Sequence, residues 1–416
     1  MNLKKLVSFR SDINLTEEEV QPARDYIKDY WKKLACYHPK DDESLLGLPK
    51  PYIVPSITSN LGFDFNEMYY WDSYFIVQGL LDEEHKDLVL GILDNLIYLF
   101  NRFGIIPNAS RTFLMGRSQP PLLTSLIFDI YNSYKMDKTW LKDKIEVAKK
   151  EYHNVWMGTT KPNLRNVYKN LSRYTDANLL HDLAEAESGW DMTPRFNHRA
   201  LNFLPIDLNA FLFKYEMDFS KAAKLLANGR EAGRWEDVAN LRKATINDLM
   251  WDKNKKFYFD YNYLKNKKGQ IYSLAAYVPL WAGMVNDSMA KDLVKHLKRF
   301  EYKGGLATTD TLPVGQFVLG SMPTQWAYPN GWAPLHLFVV RGLEKYGYHK
   351  EARTIAIKWL KNNLNWFIDH KNFIEKYNVV TPEKPPFKGV YPSQDGFGWT
   401  NAIFEDFCRN YVDRRE

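Results

Sequence analysis

The sequence predicts an all-α fold, one helical domain closed into an (α/α) toroid of about six antiparallel hairpins. Three observations lead there. Apolar residues recur at helical spacing in segment after segment. No Pro-, Ser- or Gly-rich linker divides the chain into halves. The segments between helices alternate between short turns and long loops rich in aromatic residues and glycine, at 47–68, 104–120, 188–207, 303–333 and 376–399. If the helices pair antiparallel, those loops collect at one end of the barrel, and long loops inside a compact domain are usually functional. The competing architecture is an irregular α-solenoid, although no internal repeat is visible.

In chain order, the spacing predicts helices over 16–36, 70–81, 86–103, 121–134, 141–155, 208–215, 221–227, 236–249, 274–284, 290–300, 333–346, 350–367 and 400–411. Gly104 and Gly347 stop two of them, and Asn286-Asp287-Ser288 caps another. A further helical segment ends near Gly189, which suits a left-handed cap, and Pro194 prevents its continuation. Residues 254–256 and 266–269 read as turns around a short extended pair, 256–263 and 270–272.

A hydrophobic fraction of 45% with 25% charge over 416 residues describes a soluble globular protein. The net charge of +6 is spread through lysine-rich helix faces and turns such as 138–150 and 265–268, too diffuse to track a nucleic-acid backbone. Cys36 and Cys408 make neither a metal-spaced pair nor a disulfide framework. No run approaches a membrane span, and Arg10 and Asp12 interrupt any signal-like apolar core, so a cytoplasmic setting is expected. The unusual feature is aromatic content: 13 Trp, 26 Tyr and 24 Phe, many beside Gly, Pro or Asn. Most must be core, but rings in glycine-rich loops are better explained as surfaces on which sugars stack.

Two carboxyl groups stand out in such surroundings. Asp191 follows Glu187-Ser-Gly189-Trp190, and Glu375 lies in Phe373-Ile-Glu-Lys-Tyr-Asn378, upstream of Gln394, Asp395, Phe397 and Trp399. A proton donor paired with a base or nucleophile is what glycosidic bond hydrolysis needs. An isolated Asp in a loop is more often a helix cap, and a lone Glu-Lys pair is more often surface. Beside Trp190, however, the Asp191 carboxyl loses solvation, which favours the protonated form a general acid requires. Tyr69-Tyr-Trp71-Asp72-Ser-Tyr-Phe75 opens a helix with an acid at the centre of five rings. An unpaired buried carboxylate is expensive, so Asp72 should bind sugar hydroxyls or pair with an arginine such as Arg117. Asn108, Arg117 and Gln119 lie in segments of fixed geometry, and Gln325-Trp326 adds an amide and a ring. No His/Cys pattern supports a metal, no nucleotide-binding motif is complete, and no cofactor is called for.

Taken in order, Tyr69–Phe75, Ile106-Pro-Asn108, Arg117-Ser-Gln-Pro-Pro121, Glu187–Asp191, Pro205-Ile-Asp-Leu-Asn209, Gln325–Pro334, Glu375-Lys-Tyr377 and Gln394–Asn401 resemble the trehalases, glycoside hydrolase family thirty-seven, from about residue 50 onward. The resemblance implies an (α/α)6 barrel over 46–416, with residues 1–45 as a helical segment packed on it. It also implies inversion at the anomeric carbon, with no cofactor and a small sugar as substrate. By the same resemblance Asp191 is the general acid and Glu375 the general base. Phe65, Tyr69, Trp71, Asp72, Asn108, Arg117, Gln119, Gly189, Gln325, Trp326 and Trp399 hold the sugar. The chain departs from the family pattern at Asp64, where trehalases carry Arg, and at Ala327, where they carry Asp. An Arg-Pro-Glu-Ser segment is missing, and 385–392 replaces a glycine run; by the resemblance all four departures should lie near the sugar pocket or its lid. The stretch 181–195 is also similar to family sixty-three glycosidases. The resemblance therefore implies an α-glycosidase, foremost one acting on trehalose. Another small α-glucoside or α-mannoside such as a glycosylglycerate is the alternative, and a sugar-binding protein on a dead hydrolase fold is a third.

Overall fold

The computed structural model describes residues 14–57, 65–311, 324–387 and 394–413. Its helices are α1 (Glu17–Leu34), α2 (Tyr70–Gly79), α3 (Lys86–Phe103), α4 (Leu123–Ser133), α5 (Lys138–Glu151), α6 (His181–Glu187), α7 (Ile206–Leu225), α8 (Gly229–Leu249), α9 (Val278–Trp281), α10 (Asp287–His296), α11 (Ala333–Lys345), α12 (His349–His370) and α13 (Gly398–Tyr411). Neighbour contacts run α2–α4–α7–α9–α11–α13 and back to α2, which closes an inner ring of six. Outside it, α3 rests on α2 and α4, α5 on α4 and α7, α8 on α7, and α12 on α11 and α13. The N-terminal α1 covers the seam between α12 and α13. This closure is the (α/α)6 barrel, and it rules out the open solenoid.

Sequence separates the two rings. All ten residues of α2 are buried, as expected of a helix covered on every side, whereas α3 buries one stripe that includes Val89, Ile92, Leu93, Leu96 and Leu99. α1 starts at a capping box: Thr16 Oγ1 accepts from Glu19 N at 3.3 Å, and Glu19 Oε2 accepts from Thr16 N at 2.8 Å. Such a cap contributes about 1 kcal/mol.

Several boundaries differ from the sequence expectation, each for a local reason. Segments 208–215 and 221–227 are one continuous helix, α7. The polar residues that interrupt its apolar pattern are buried and paired: Glu216 with Arg242 and Tyr152, Asp218 with Lys214, and Ser220 with Glu236. α8 begins at Gly229 because the Asn228 side chain accepts from Glu231 N at 3.2 Å. Segment 274–284 is a 3₁₀ turn, Leu274–Tyr277, followed by the short α9, with Pro279 near the junction and Gly283 at φ +74° closing it. Helix α5 runs on into a π turn, Tyr152–Trp156, and α10 ends in a 3₁₀ turn, Leu297–Arg299. Residues 270–272 are not a strand; Tyr261–Asn262 pairs instead with Phe203–Leu204 and Lys267–Lys268.

Inside the ring, Phe75 meets Trp71 at 4.9 Å and Phe338 at 5.4 Å between centroids, while Phe338 meets Trp281 at 5.0 Å. This aromatic layer fills the barrel's middle and leaves a cavity at each end. The C-terminal halves of the inner helices line one of about 510 Å³, where Lys214, Lys221, Arg341, Lys345 and Arg409 gather with Asp129 and Asp406. Cations are favourable beside helix C-termini, and Arg341 is paired with Asp406. With five cations to two carboxyls, the lining of that end is net positive. The N-terminal ends of α2 and α13 face the other cavity.

Candidate active site

The second cavity, about 240 Å³, is lined by Phe65, Tyr69, Trp71, Asp72, Asn108, Arg117, Gln119, Gly189, Asp191, Glu375 and Trp399, together with Pro55, Leu114, Ala186 and Phe397. Residues from five separate stretches of sequence thus meet in one place. The helix α2 supplies Trp71 and Asp72 from its first turn, and that turn is fixed from outside. Gln119 Oε1 accepts from Trp71 N at 2.9 Å, and Tyr70 N donates to Asn108 O at 3.2 Å. Asn108 is held in turn by its Nδ2 donating to Ser118 O at 3.1 Å.

Gly189 follows the end of α6 with φ +76°, and the Trp71 indole packs directly on it. A Cβ there would lie 2.8 Å from Trp71 Cε2, so only glycine fits. The next residues turn Asp191 toward the cavity while Trp190 goes into the wall. Trp190 is stacked 5.5 Å from Trp326 and capped by the Arg195 guanidinium at 4.4 Å. Arg195 itself is buried between Asp207 and Asp260. Glu187 is a buried strut that accepts from Ser118 N and Thr175 N, both at 2.7 Å, and pairs with Arg165.

Glu375 is held through its backbone. Its N–H donates to Gln394 O at 3.0 Å, and its carbonyl accepts from Trp399 Nε1 at 3.0 Å. Thr400 Oγ1 donates to the preceding carbonyl, that of Ile374, at 2.8 Å. The following strand, Lys376–Asn378, pairs antiparallel with Asn330–Trp332, setting Lys376 opposite Trp332. Lys376 Nζ then lies 2.6 Å from Glu375 Oε2, with both side chains buried.

The electrostatics follow from three carboxyls facing one small, dry space. Burial first, and the Glu375 charge second, push Asp191 up to about 7. Arg117 and Lys376 pull the other way without cancelling the shift. Asp72 is raised well above the usual carboxylate range by burial, with further contributions from Glu375 and Asp191. The cause at Asp191 is therefore the enclosed cavity and its second carboxylate.

Three sequence expectations land elsewhere. Arg117 Nη1 is 3.3 Å from Asp176 Oδ2, so the arginine serves Asp176 and not Asp72; among the described residues Asp72 has no ion pair. Gln325 and Trp326 stand behind the cavity wall. Gln325 Nε2 donates to the Asp191 carbonyl at 2.6 Å, and Trp326 lies 3.8 Å from Trp332 in a parallel stack. Ala327 is buried and off the cavity surface, whereas Asp64 and most of 385–392 lie outside the described residues. Conversely, Lys376 was unreadable from sequence as more than a surface neighbour of Glu375. Only the strand pairing that buries it against Trp332 reveals its place. Pro55, Leu114 and Ala186 carry no chemical signal that could have marked them.

The sequence profile of the Trehalase family matches residues 4–184 and 176–412. The chain is 32% identical to the trehalase of Homo sapiens, over 93% of this chain and 73% of that protein. It is 30% identical to the cytosolic neutral trehalase of Kluyveromyces lactis, over 87% of this chain. It spans 56% of that protein's length and 64% of the length of the cytosolic neutral trehalase of Beauveria bassiana. Among solved structures, the neutral trehalase Nth1 of Saccharomyces cerevisiae superposes with TM-score 0.75 at 28% identity, over 86% of this chain and 73% of that one. A family sixty-three mannosylglycerate hydrolase of Thermus thermophilus shares the fold, with TM-score 0.66 at 17% identity over 92% of this chain and 99% of that one.

Proposed function

Because the chain belongs to the trehalase family, we propose that it is an inverting α-glycoside hydrolase that cleaves α,α-trehalose into two molecules of glucose. The observation that carries this reading is the meeting of two carboxyls with different surroundings in one cavity. Asp191, pushed up to about 7, holds a proton near neutral pH. Glu375 lies against the Lys376 ammonium. Environments that separate two carboxyls in this way assign acid and base.

In the proposed reaction Asp191 protonates the glycosidic oxygen as the bond to the anomeric carbon breaks. Glu375 takes a proton from a water that attacks the same carbon from the opposite face. One glucose leaves with its configuration unchanged and the other is released inverted. Trp71, Trp399, Tyr69 and Phe65 offer ring faces to the pyranose, while Asp72, Asn108, Arg117 and Gln119 offer polar groups to its hydroxyls. Gln325 and Trp326 act from behind by fixing the acid loop. A cytoplasmic setting belongs to the same proposal, supported by the two cytosolic relatives; among the described residues no helix is long and apolar enough to cross a membrane.

A second reading, hydrolysis of another small α-glucoside or α-mannoside, is supported by the fold shared with a family sixty-three mannosylglycerate hydrolase. Both readings are tested by incubating the purified protein with trehalose, glucosylglycerate, mannosylglycerate and maltose and following reducing-sugar release. Preferred cleavage of trehalose supports the first reading, and preferred cleavage of a glycosylglycerate replaces it with the second. Failure to cleave any of them counts against an enzyme.

A further inference from the structure

Lys376 is fully buried, which is rare for a lysine, and withdrawing an ammonium from water costs several kcal/mol unless a partner offsets it. Its surroundings are aromatic. Nζ lies 5.0 Å from the centroid of the Trp332 ring, and Trp332 stacks on Trp326 at 3.8 Å with planes 3° apart. Trp326 in turn stacks on Trp190, and its backbone N–H donates to Met192 O at 3.0 Å, next to Asp191 in sequence. The tryptophan stack that backs the acid's loop therefore also seats the cation beside Glu375.

Among the described residues, the Glu375 charge acts on Asp191 and Asp72 in the same cavity, and the Asp395 backbone is bridged to that of Ile374. Arg117 is engaged with Asp176. Only the ionised carboxylate of Glu375 can accept a proton from water. Lys376, 2.6 Å from Oε2, is a compact point charge placed to favour that form and to fix the carboxylate's orientation.

We propose that Lys376 is a positioning residue for the base, holding the Glu375 carboxylate ionised and aimed at the attacking water. This rests on the reading of Glu375 as the base. The test compares wild type, Lys376→Met, Glu375→Gln and the double variant. Expected for Lys376→Met is a kcat about 100-fold lower, a KM within about threefold of wild type, and an acid limb of kcat/KM moved up by about one pH unit or more. An acid limb that stays in place, or a loss confined to KM or to thermal stability, overturns the proposal. Glu375→Gln separates the two ideas: wild-type turnover there removes Glu375 as base, whatever Lys376 does. If Lys376→Met does not fold, the double variant decides. A folded double variant, with both charges removed together, supports the pair, and an unfolded one shows the lysine to be a packing element and overturns the role.

Discussion

Gln325 holds Asp191 from behind: its side-chain Nε2 donates to the Asp191 backbone carbonyl at 2.6 Å. The amide is buried while Asp191 opens to the cavity, so the contact holds the proposed acid from outside the cavity. Gln325 is anchored in turn by Asn330 Nδ2, which donates to the Gln325 carbonyl at 3.0 Å.

Replacing Gln325 with Met keeps the volume and removes that hydrogen bond. Small displacements of a catalytic group are costly, so kcat should fall about tenfold or more with KM nearly unchanged. Steady-state kinetics on the preferred glycoside checks this. A raised KM at unchanged kcat means that Gln325 binds sugar instead.

The state of Asp191 sets the pH dependence. With its carboxyl up at about 7, activity requires the protonated form and falls as pH rises through that value, giving a basic limb near 7 in kcat/KM. The same shift has a stability consequence. The unfolded carboxyl titrates near 3.8, so between about 4 and 7 the folded state keeps a proton that the unfolded state releases. Folded-state stability therefore declines as pH rises across that window. Asp191→Asn, permanently neutral, should melt higher than wild type at pH 8, melt alike at pH 4, and lose about 10² to 10⁴ in kcat. Equal melting temperatures at pH 8 contradict the burial argument.

Gly189→Ala tests the wall of the cavity. The residue sits at φ +76° and its new Cβ would lie 2.8 Å from the Trp71 indole. Strain and displacement together should cost at least about 2 kcal/mol of stability and raise KM through Trp71. Chemical denaturation with kinetics at saturating sugar measures both.

How far this architecture was legible depends on what kind of signal each part leaves. Outer helices such as α3 bury one stripe and show a clean period, so they were placed within a residue or two. The inner α7 is buried on nearly all sides, and its paired Glu216 and Asp218 broke the apparent period, so it was split. Most cavity residues were readable because carboxyls, amides and rings in glycine-rich loops are chemically conspicuous. Lys376 and the Arg195–Asp207–Asp260 cluster were not, because buried charge looks like surface charge until a partner distant in sequence is brought to it. Gln325 and Trp326 show the converse: a motif marks proximity to the chemistry, but not which side of the wall a side chain occupies.

Ala327 was expected near the sugar pocket, yet it is buried beside Trp326 and off the cavity surface. Ala327→Asp should therefore bury a carboxylate and lower the melting temperature by roughly 5 °C, with no gain in kcat/KM for trehalose. A tenfold gain, about 1.4 kcal/mol of transition-state binding, would show that an acid at this position reaches the substrate.

The most direct test of inverting hydrolysis by Asp191 and Glu375 is proton NMR of the first minutes of trehalose cleavage, before mutarotation. Inversion at one anomeric carbon gives α- and β-glucose in equal initial amounts, because the leaving glucose keeps its configuration. That ratio, abolished in Asp191→Asn and Glu375→Gln, is the expected result. Initial α-glucose alone would make Glu375 a nucleophile or place the base elsewhere, and either outcome contradicts the account.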